Sequence, residues 1–444
     1  DQRIVIIGHS MGGLLARSAT HYANKNQLQW PDKFSHLVAL GSPHNGAPAE
    51  RLGNMANTIL MASPYTNPLS RLGNFRSAGI RDLRFSNLMH EDWENIENNV
   101  FHVTEEYKVM RSGSKEHYIP DLVLFVNGIP LTIIECKRPD MKAPIKQAIS
   151  QHLRNQKEDG VRQLYIYAQA LISLCTNHGR FASNGTKEKF WSHWEESFKY
   201  KEDEELYREK LNVLKNTPLK EVVKKELFSD RFRYVRSHFD NLENEIILST
   251  EQDVYLYGLC SPERLLDFTY NFIVFDNGIK KIARYQQYFA IKKTLKQITK
   301  LENGKRKGGV IWHTQGSGKS LTMVMLAQAI AMEKSIKNPK IILVTDRTDL
   351  DDQITGTFQK CGILVNNAST GKQLVGLLES KSDAVVTTII NKFETAVKKI
   401  ANPLESHDIF VLVDEGHRTQ HGTFNIEMQK TLPNACFIAL TESN

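Results

Sequence analysis

Gly309-Val-Ile-Trp-His-Thr-Gln-Gly-Ser-Gly-Lys-Ser320 decides the fold of the larger part of this 444-residue chain. An apolar strand runs into a glycine-rich turn and leaves it as the helical run Leu321–Glu333. The backbone N–H groups of Gly316, Ser317 and Gly318 can then converge on phosphate oxygens at the positive end of the helix. Lys319 would reach the β- and γ-phosphates of ATP, and the Ser320 hydroxyl would bind Mg²⁺. His313 stands where the strict pattern has its first glycine. Working outward, apolar runs at Val310–Trp312, Ile341–Thr345, Ala384–Thr388, Phe410–Val413 and Phe437–Leu440 alternate with helical segments. That alternation predicts an α/β architecture, a parallel sheet with helices on both faces. The fourth run ends in Asp414-Glu415, 95 residues beyond Lys319, with two strands expected between. Asp414 would hold Mg²⁺ through water, and Glu415 would polarise the attacking water. Upstream, Gln287 in Arg284-Tyr-Gln-Gln287 carries an amide able to donate to and accept from an adenine edge. The alternative there is a polar helix face.

A second constellation lies in Pro120-Asp-Leu-Val-Leu-Phe-Val-Asn-Gly-Ile-Pro-Leu-Thr-Ile-Ile-Glu-Cys-Lys-Arg138, which reads as a β-hairpin turning at Asn127-Gly128. With a loop of Asn127–Ile129, Asp121 lies opposite Glu135. Glu135 and Lys137, two apart, project from one strand face. Two carboxylates and an ammonium then converge, and the carboxylates are hard oxygen ligands suited to Mg²⁺, with the lysine placed to orient water. Solvated charges on an edge strand would explain Lys137 and Arg138, but not an acid inside an apolar run, where ionisation is costly unless it is paired or bound to metal.

Composition bounds the rest. Apolar residues at 41% and charged residues at 24% exclude wholesale disorder. No window approaches the ~18 consecutive apolar residues of a membrane span, so no membrane association is expected. Fifty-seven basic against 50 acidic residues give +7, a bias that permits a polyanionic partner without demanding one. Five scattered cysteines without a C-x-x-C pair argue against a disulfide framework or structural zinc and for a reducing, cytoplasmic location. Position 1 is Asp, and the chain is expected to be a fragment. The expected organisation is an α/β segment at 1–92, a β-rich domain at 93–185, a charged connector of paired helices at 186–245, and the phosphate-loop domain at 246–444.

From about Trp93 to Thr441 the chain resembles the restriction (R) subunit of type I restriction–modification enzymes. The resemblance rests on Asn98-Asn-Val-Phe-His-Val-Thr, on Asp121…Glu135-Cys-Lys137 as a PD-(D/E)xK nuclease core, and on Ala283-Arg-Tyr-Gln-Gln287. It continues through the phosphate loop, Val344-Thr-Asp-Arg-Thr-Asp-Leu350, Val386-Thr-Thr-Ile-Ile-Asn-Lys-Phe393 and Asp414-Glu-Gly-His-Arg418, in family order. It implies a nuclease fused to the first RecA-like lobe of a superfamily 2 translocase, acting on double-stranded DNA with ATP and Mg²⁺. Methyltransferase (M) and specificity (S) subunits would be its partners. A helper glutamine motif, Q-x-x-x-Y, fits Gln163–Tyr167 by spelling and Gln151…Asn155 by distance, and stays open. The sequence departs from the family after Leu440-Thr441, where the second lobe with its arginine finger and the methyltransferase-docking region would follow, so weak ATP binding and poor hydrolysis are expected of this chain alone.

Residues 1 to about 92 resemble a different family. Arg3-Ile-Val-Ile-Ile-Gly-His-Ser-Met-Gly-Gly13 is a G-x-S-x-G elbow, and with Leu37–Pro48 and Ser77–Leu83 it looks like part of an α/β-hydrolase of the lipase/esterase type. Neither His44 nor His90 sits where that family places its base, so Ser10 is expected to be a vestigial nucleophile in a segment joined by fusion or assembly error. Two other readings remain at this point: a nucleic-acid-stimulated ATPase that does not cut, and a serine esterase using Ser10.

Overall fold

The computed structural model describes strands at 4–9 and 34–40 and residues 95–443, apart from 315–316, 381–384, 401 and 415–429. The chain falls into two units, residues 1–100 with 126–128, and the remainder. In the first unit, β1 (Ile4–His9) and β2 (Phe34–Leu40) pair in parallel. Ser10 lies outside the described residues.

The second unit carries two large sheets. The first has the order β3 (Phe101–Glu105), β4 (Leu122–Val126), β5 (Ile129–Cys136), β6 (Ala170–Cys175), β7 (His178–Ala182). β4 and β5 form the expected hairpin, but Ile129 already belongs to β5, so the loop is only Asn127-Gly128. Both loop residues have positive φ, 50° and 84°, which a two-residue turn of this kind requires and which Asn and Gly adopt most easily. The three-residue loop that set Asp121 opposite Glu135 is therefore corrected, and the two acids meet by another route. β5 and β6 run parallel, which demands a crossover; α1 (Pro144–Asn155) and α2 (Arg162–Tyr167) supply it. Ile149, Val161, Leu164 and Tyr165 from that crossover pack on Val123, Ile133 and Leu171. The other face, with Ile134, Ile172 and Phe181, continues into a core shared with Trp194, Phe268 and Tyr288. Covered on both faces, β6 is buried along its whole length.

The connector holds more than a helix pair. α3 (Lys201–Lys215), α4 (Glu221–Leu227) and α5 (Arg236–Leu242) follow one another, and α3 buries only Leu211. Then come α6 (Glu251–Cys260), α7 (Pro262–Asn271) and the hairpin β8 (Ile273–Asp276)–β9 (Ile279–Ile282). The strand–helix alternation expected from 246 thus begins only at Gly309.

The second sheet is parallel throughout, in the order β10 (Gly309–Thr314), β15 (Cys436–Ser443), β14 (Ile409–Asp414), β11 (Lys340–Thr345), β13 (Val385–Ile389), β12 (Val365–Asn367). β12 makes a third strand between Lys319 and Asp414 where two were expected; Val365-Asn-Asn has too little apolar pattern to announce itself. The helices are α8 (Tyr285–Ile298), α9 (Lys319–Met332), α10 (Thr348–Lys360), α11 (Gly371–Glu379) and α12 (Ile390–Val397). Alternate strand residues serve opposite faces. Ile341, Leu343, Leu412 and Leu440 join a core with Met323 and Leu326 of α9, and Ile342, Val344, Val386 and Val411 join one with Leu374 and Phe393. No helix among the described residues is long and apolar enough to cross a membrane.

One buried ion pair ties this sheet to the segment before it. The Arg306 side chain is 1% exposed; Nη2 lies 2.7 Å from Asp408 Oδ1, and Nη1 donates to Ile298 O at 2.7 Å. Truncation would leave Asp408 without its guanidinium. Arg306→Ala is expected to destabilise this domain by about 3–5 kcal/mol, measured as a shift in its urea-unfolding midpoint. A change below ~1 kcal/mol, the range of exposed pairs, would contradict this assignment.

Candidate active sites

The hairpin does bring its three charged residues together. Lys137 Nζ lies 3.5 Å from Asp121 Oδ2 and 3.6 Å from Glu135 Oε2. Asp121 sits just before β4 and turns its carboxylate onto the far strand, where the Cys136 N–H donates to Oδ2 at 2.6 Å. That contact, not direct facing across the hairpin, draws the acids together. The Lys137 N–H is itself fixed by Leu174 O at 2.8 Å, so the end of β5 is held by β6.

Glu135 is the unusual member. It is 0% exposed, and neither carboxylate oxygen has a hydrogen-bond donor. Burial, then the Asp121 charge, push its pKa up to about 8, against the pull of Lys137. A buried acid with two orphaned oxygens, facing a second carboxylate and a lysine, fits a hard divalent cation. Mg²⁺ is commonly held by one or two carboxylates and keeps several waters. A cage of three or more His, Cys, Asp or Glu side chains is absent among the described residues. A Mg²⁺ site needs no such cage, since one or two carboxylates and several waters suffice for it.

At the phosphate loop, α9 begins at Lys319, two residues earlier than the helical pattern predicts. Gly318 caps it at φ 90°, and a Cβ there would come within 3.0 Å of Gln287 Nε2. Glycine is therefore favoured by conformation, and a Cβ would also crowd the Gln287 amide. Lys319 Nζ lies 2.8 Å from Asp414 Oδ1, a side chain only 3% exposed. β10 and β14 are separated by β15 alone and run the same way, so their C-terminal ends meet on one edge. Ser317 Oγ lies 3.0 Å from His313 Nδ1, so the histidine at the expected glycine position braces the loop from below. Ser320 stands in the first turn of α9. Gly316 and Glu415 lie outside the described residues.

Gln287 is buried, not on a polar helix face. Its Oε1 accepts from Arg284 N at 2.9 Å, closing the start of α8; its Nε2 donates to Gly318 O and Thr322 Oγ1, each at 3.1 Å. The amide thus ties α8 to the phosphate loop. Of the glutamines left open, Gln163 donates to Met110 O at 2.9 Å, and Tyr167 is 57% exposed.

Sequence reading missed the polar groups behind the nuclease-like site. His152 of α1 is fully buried, with Nε2 at 3.1 Å from Ile172 O and Nδ1 at 3.0 Å from Tyr165 OH. A carbonyl only accepts, so Nε2 carries the proton and the phenol donates to Nδ1. Burial pushes His152 down to about 4, so it is neutral at physiological pH. Ser173 stands in register beside Glu135, its buried hydroxyl also without a partner. No motif flags these residues, because only the folded sheet and its crossover bring them to Glu135.

Family models and known proteins match successive parts of the chain. Residues 75–197 match the family model for the N terminus of the type I restriction enzyme R protein, and residues 286–443 match that for SWI2/SNF2 ATPases. Residues 1–124 match a PGAP1-like alpha/beta domain. Among curated relatives, the type I restriction enzyme HindI endonuclease subunit of Haemophilus influenzae is 31% identical over 378 residues, 79% of this chain and 32% of that protein. A Methanocaldococcus jannaschii protein named as the MjaIXP endonuclease subunit is 29% identical over 379 residues, 83% of this chain and 33% of that one. The chain thus spans about a third of the length of these relatives. Among solved structures, the UvsW helicase of bacteriophage T4 aligns with 41% of this chain and 60% of its own at 16% identity and a TM-score of 0.29. The chain is therefore similar, over most of its length, to type I restriction endonuclease subunits, and at its start to a PGAP1-like α/β domain.

Proposed function

We propose that this chain carries the Mg²⁺-dependent nuclease domain, at about 93–185, and the first ATP-driven motor lobe, at about 246–444, of a type I restriction endonuclease subunit acting on double-stranded DNA. The helical segment at about 186–245 connects them. The observation that carries the reading is Glu135, a buried carboxylate without hydrogen-bond donors, paired with Asp121 and Lys137 at the end of one hairpin.

In this reading Asp121 and Glu135 would hold Mg²⁺, which when bound would supply Lewis-acid chemistry at a scissile phosphate. Lys137, already between the two acids, orients the attacking water and offsets charge on the phosphoryl oxygens. The buried floor of the site keeps the carboxylates fixed. In the motor lobe, Gly316, Ser317 and Gly318 cradle the phosphates of ATP, Lys319 reaches the terminal ones, and Ser320 and Asp414 hold its Mg²⁺. Glu415 would orient the hydrolytic water. The Lys319–Asp414 contact brings the lysine that would meet the phosphates beside the acid that would hold the cation. Gln287, holding Gly318, links the adenine side to the loop. Methyltransferase and specificity subunits as partners, and a cytoplasmic location, belong to the same proposal, which the likeness to type I restriction endonuclease subunits supports. Sequence would be read elsewhere, since contacts to the DNA backbone position a protein without specifying bases. Ser10 is read as a vestigial nucleophile.

Glu135→Gln and Lys137→Ala should each remove Mg²⁺-dependent cleavage of plasmid DNA by the assembled enzyme, by at least about a hundredfold, while leaving ATP binding intact. Lys319→Ala should do the reverse to ATP binding by this chain, read by a fluorescent nucleotide analogue. Cleavage surviving both nuclease substitutions would contradict the site.

The raised pKa of Glu135 has a thermodynamic counterpart. The folded state holds this proton up to about pH 8, whereas the unfolded carboxyl loses it near its model value of 4.5. Without metal, wild-type stability should fall as pH rises between those values. Glu135→Gln removes that loss, so the variant should melt higher than wild type at pH 8, and the two should converge near pH 4. Equal pH dependence of the two melting curves would contradict the burial assigned to Glu135.

A further inference from the structure

Among the described residues, the six-stranded sheet leaves one face of its first strand exposed where a parallel sheet is normally covered. Strands in such sheets carry helices on both faces and are buried on both. β10 obeys this on one side, where Ile311 and His313 are buried; on the other, Val310 is 50% and Trp312 71% exposed. β10 is also the sheet's edge, bonded to β15 alone. A groove of about 370 Å³ runs between this face and α8, walled by Tyr285, Phe289 and Trp312, with Lys293 and Lys307 among its lining residues.

The charged residues that line the groove, Lys293 and Lys307, are both basic, with Glu195 bonded to Tyr285 at its wall. Between Lys292 and Lys307 the sequence has six lysines, all exposed, against a single acid, Glu302. Lys292 is held by Asp267 at 2.7 Å, and Lys293 donates to Ser197 Oγ at 3.2 Å. Arg306 is buried on Asp408 and takes no part. A solvated lysine face is the ordinary explanation of such a run, but it does not explain an indole standing bare in the same groove.

We propose that this groove binds single-stranded DNA, one base stacking on Trp312 while Lys293 and Lys307 engage phosphates. Readers of single strands combine a positive groove with aromatic platforms, because every base has a π-face and the backbone is uniformly charged. A duplex keeps its bases stacked on one another and has no face to offer the indole. An acidic polypeptide would answer the lysines alone, whereas the exposed ring favours a ligand with planar groups and phosphates together. The groove does not include the phosphate loop: it is lined by residues 307–312 of the strand side and by Tyr285 and Gln286 of α8, whereas the loop follows the C-terminal end of β10. It goes beyond the proposed function, which requires only duplex DNA and ATP.

Binding of a fluorescently labelled oligothymidylate of about 12 nucleotides, within the site sizes such grooves use, tests this by anisotropy. Trp312→Ala should weaken binding about tenfold, the loss of one stacked base, and Trp312→Phe should keep most of the affinity. Lys293→Gln combined with Lys307→Gln should lower the slope of log K against log salt by about 1.4, at ~0.7 per phosphate contact. Lys225→Gln, on the connector, should change nothing. Trp312 is too exposed for its removal to leave a cavity, and a melting curve for each variant checks folding. The proposal is overturned if Trp312→Ala binds like wild type, if ATP displaces the oligonucleotide, if polyglutamate binds in its place, or if a duplex of equal length binds as tightly with no dependence on Trp312. Absence of oligonucleotide binding by the wild-type chain overturns it equally, and leaves the nuclease and ATP readings standing.

Discussion

A carboxylate sealed from water without a hydrogen-bond donor is the constraint on which the nuclease-like half depends. Leaving Glu135 ionised in that position costs several kcal/mol unless a cation compensates, because burial removes hydration that Lys137, at 3.6 Å, replaces only in part. A protein under selection for stability alone would place an apolar residue at the end of an otherwise apolar β5. The structure instead surrounds this position with devices that hold the acid in place. Asp121 is pinned by the Cys136 N–H, Lys137 is pinned by Leu174 O, and the strand is sealed by α1 and α2. Rigidity of this kind suits ligands that must meet a small, strictly octahedral cation.

The phosphate loop states the same logic differently. There a buried acid, Asp414, has a direct partner in Lys319, whose ammonium offsets the cost of burying its charge. Gly318 ties that arrangement to α8: it caps α9 at a φ of 90° and accepts the Gln287 amide through its carbonyl. Gln287 in turn closes the first turn of α8, so α8 and the loop share one hydrogen-bonded junction. α8 also forms a wall of the groove beside Trp312, which places two chemically different surfaces on one helix.

Much of this was legible in the sequence, and the failures have physical reasons. The runs around Ile341, Phe410 and Phe437 became strands because buried parallel strands need continuous apolar stretches, a signal that survives without alignment. Glu135 was legible as a site because an acid inside Thr-Ile-Ile-Glu-Cys breaks that pattern. Its route to Asp121 was not, since one residue of loop length changes which side chains face each other, and Asn127-Gly128 alone does not fix that length. β12 was invisible because an edge strand of Val-Asn-Asn carries almost no apolar pattern. His152, Tyr165 and Ser173 escaped because their relation to Glu135 exists only after β6 pairs with β5. Trp312 was read as one more apolar strand residue; its exposure follows from β10 lying at the sheet edge, which strand order alone determines.

The account turns on whether a divalent cation takes the place of the proton on Glu135. Calorimetric titration of the chain with Mn²⁺ at pH 7, repeated in buffers of different ionisation enthalpy and with the phosphate loop's cation ligand removed by Asp414→Asn, counts the protons exchanged on binding. With the pKa of Glu135 pushed up to about 8 in the free protein, the account predicts close to one proton released per bound ion, and none from Glu135→Gln. Binding without proton release, or equal release from that variant, would contradict it.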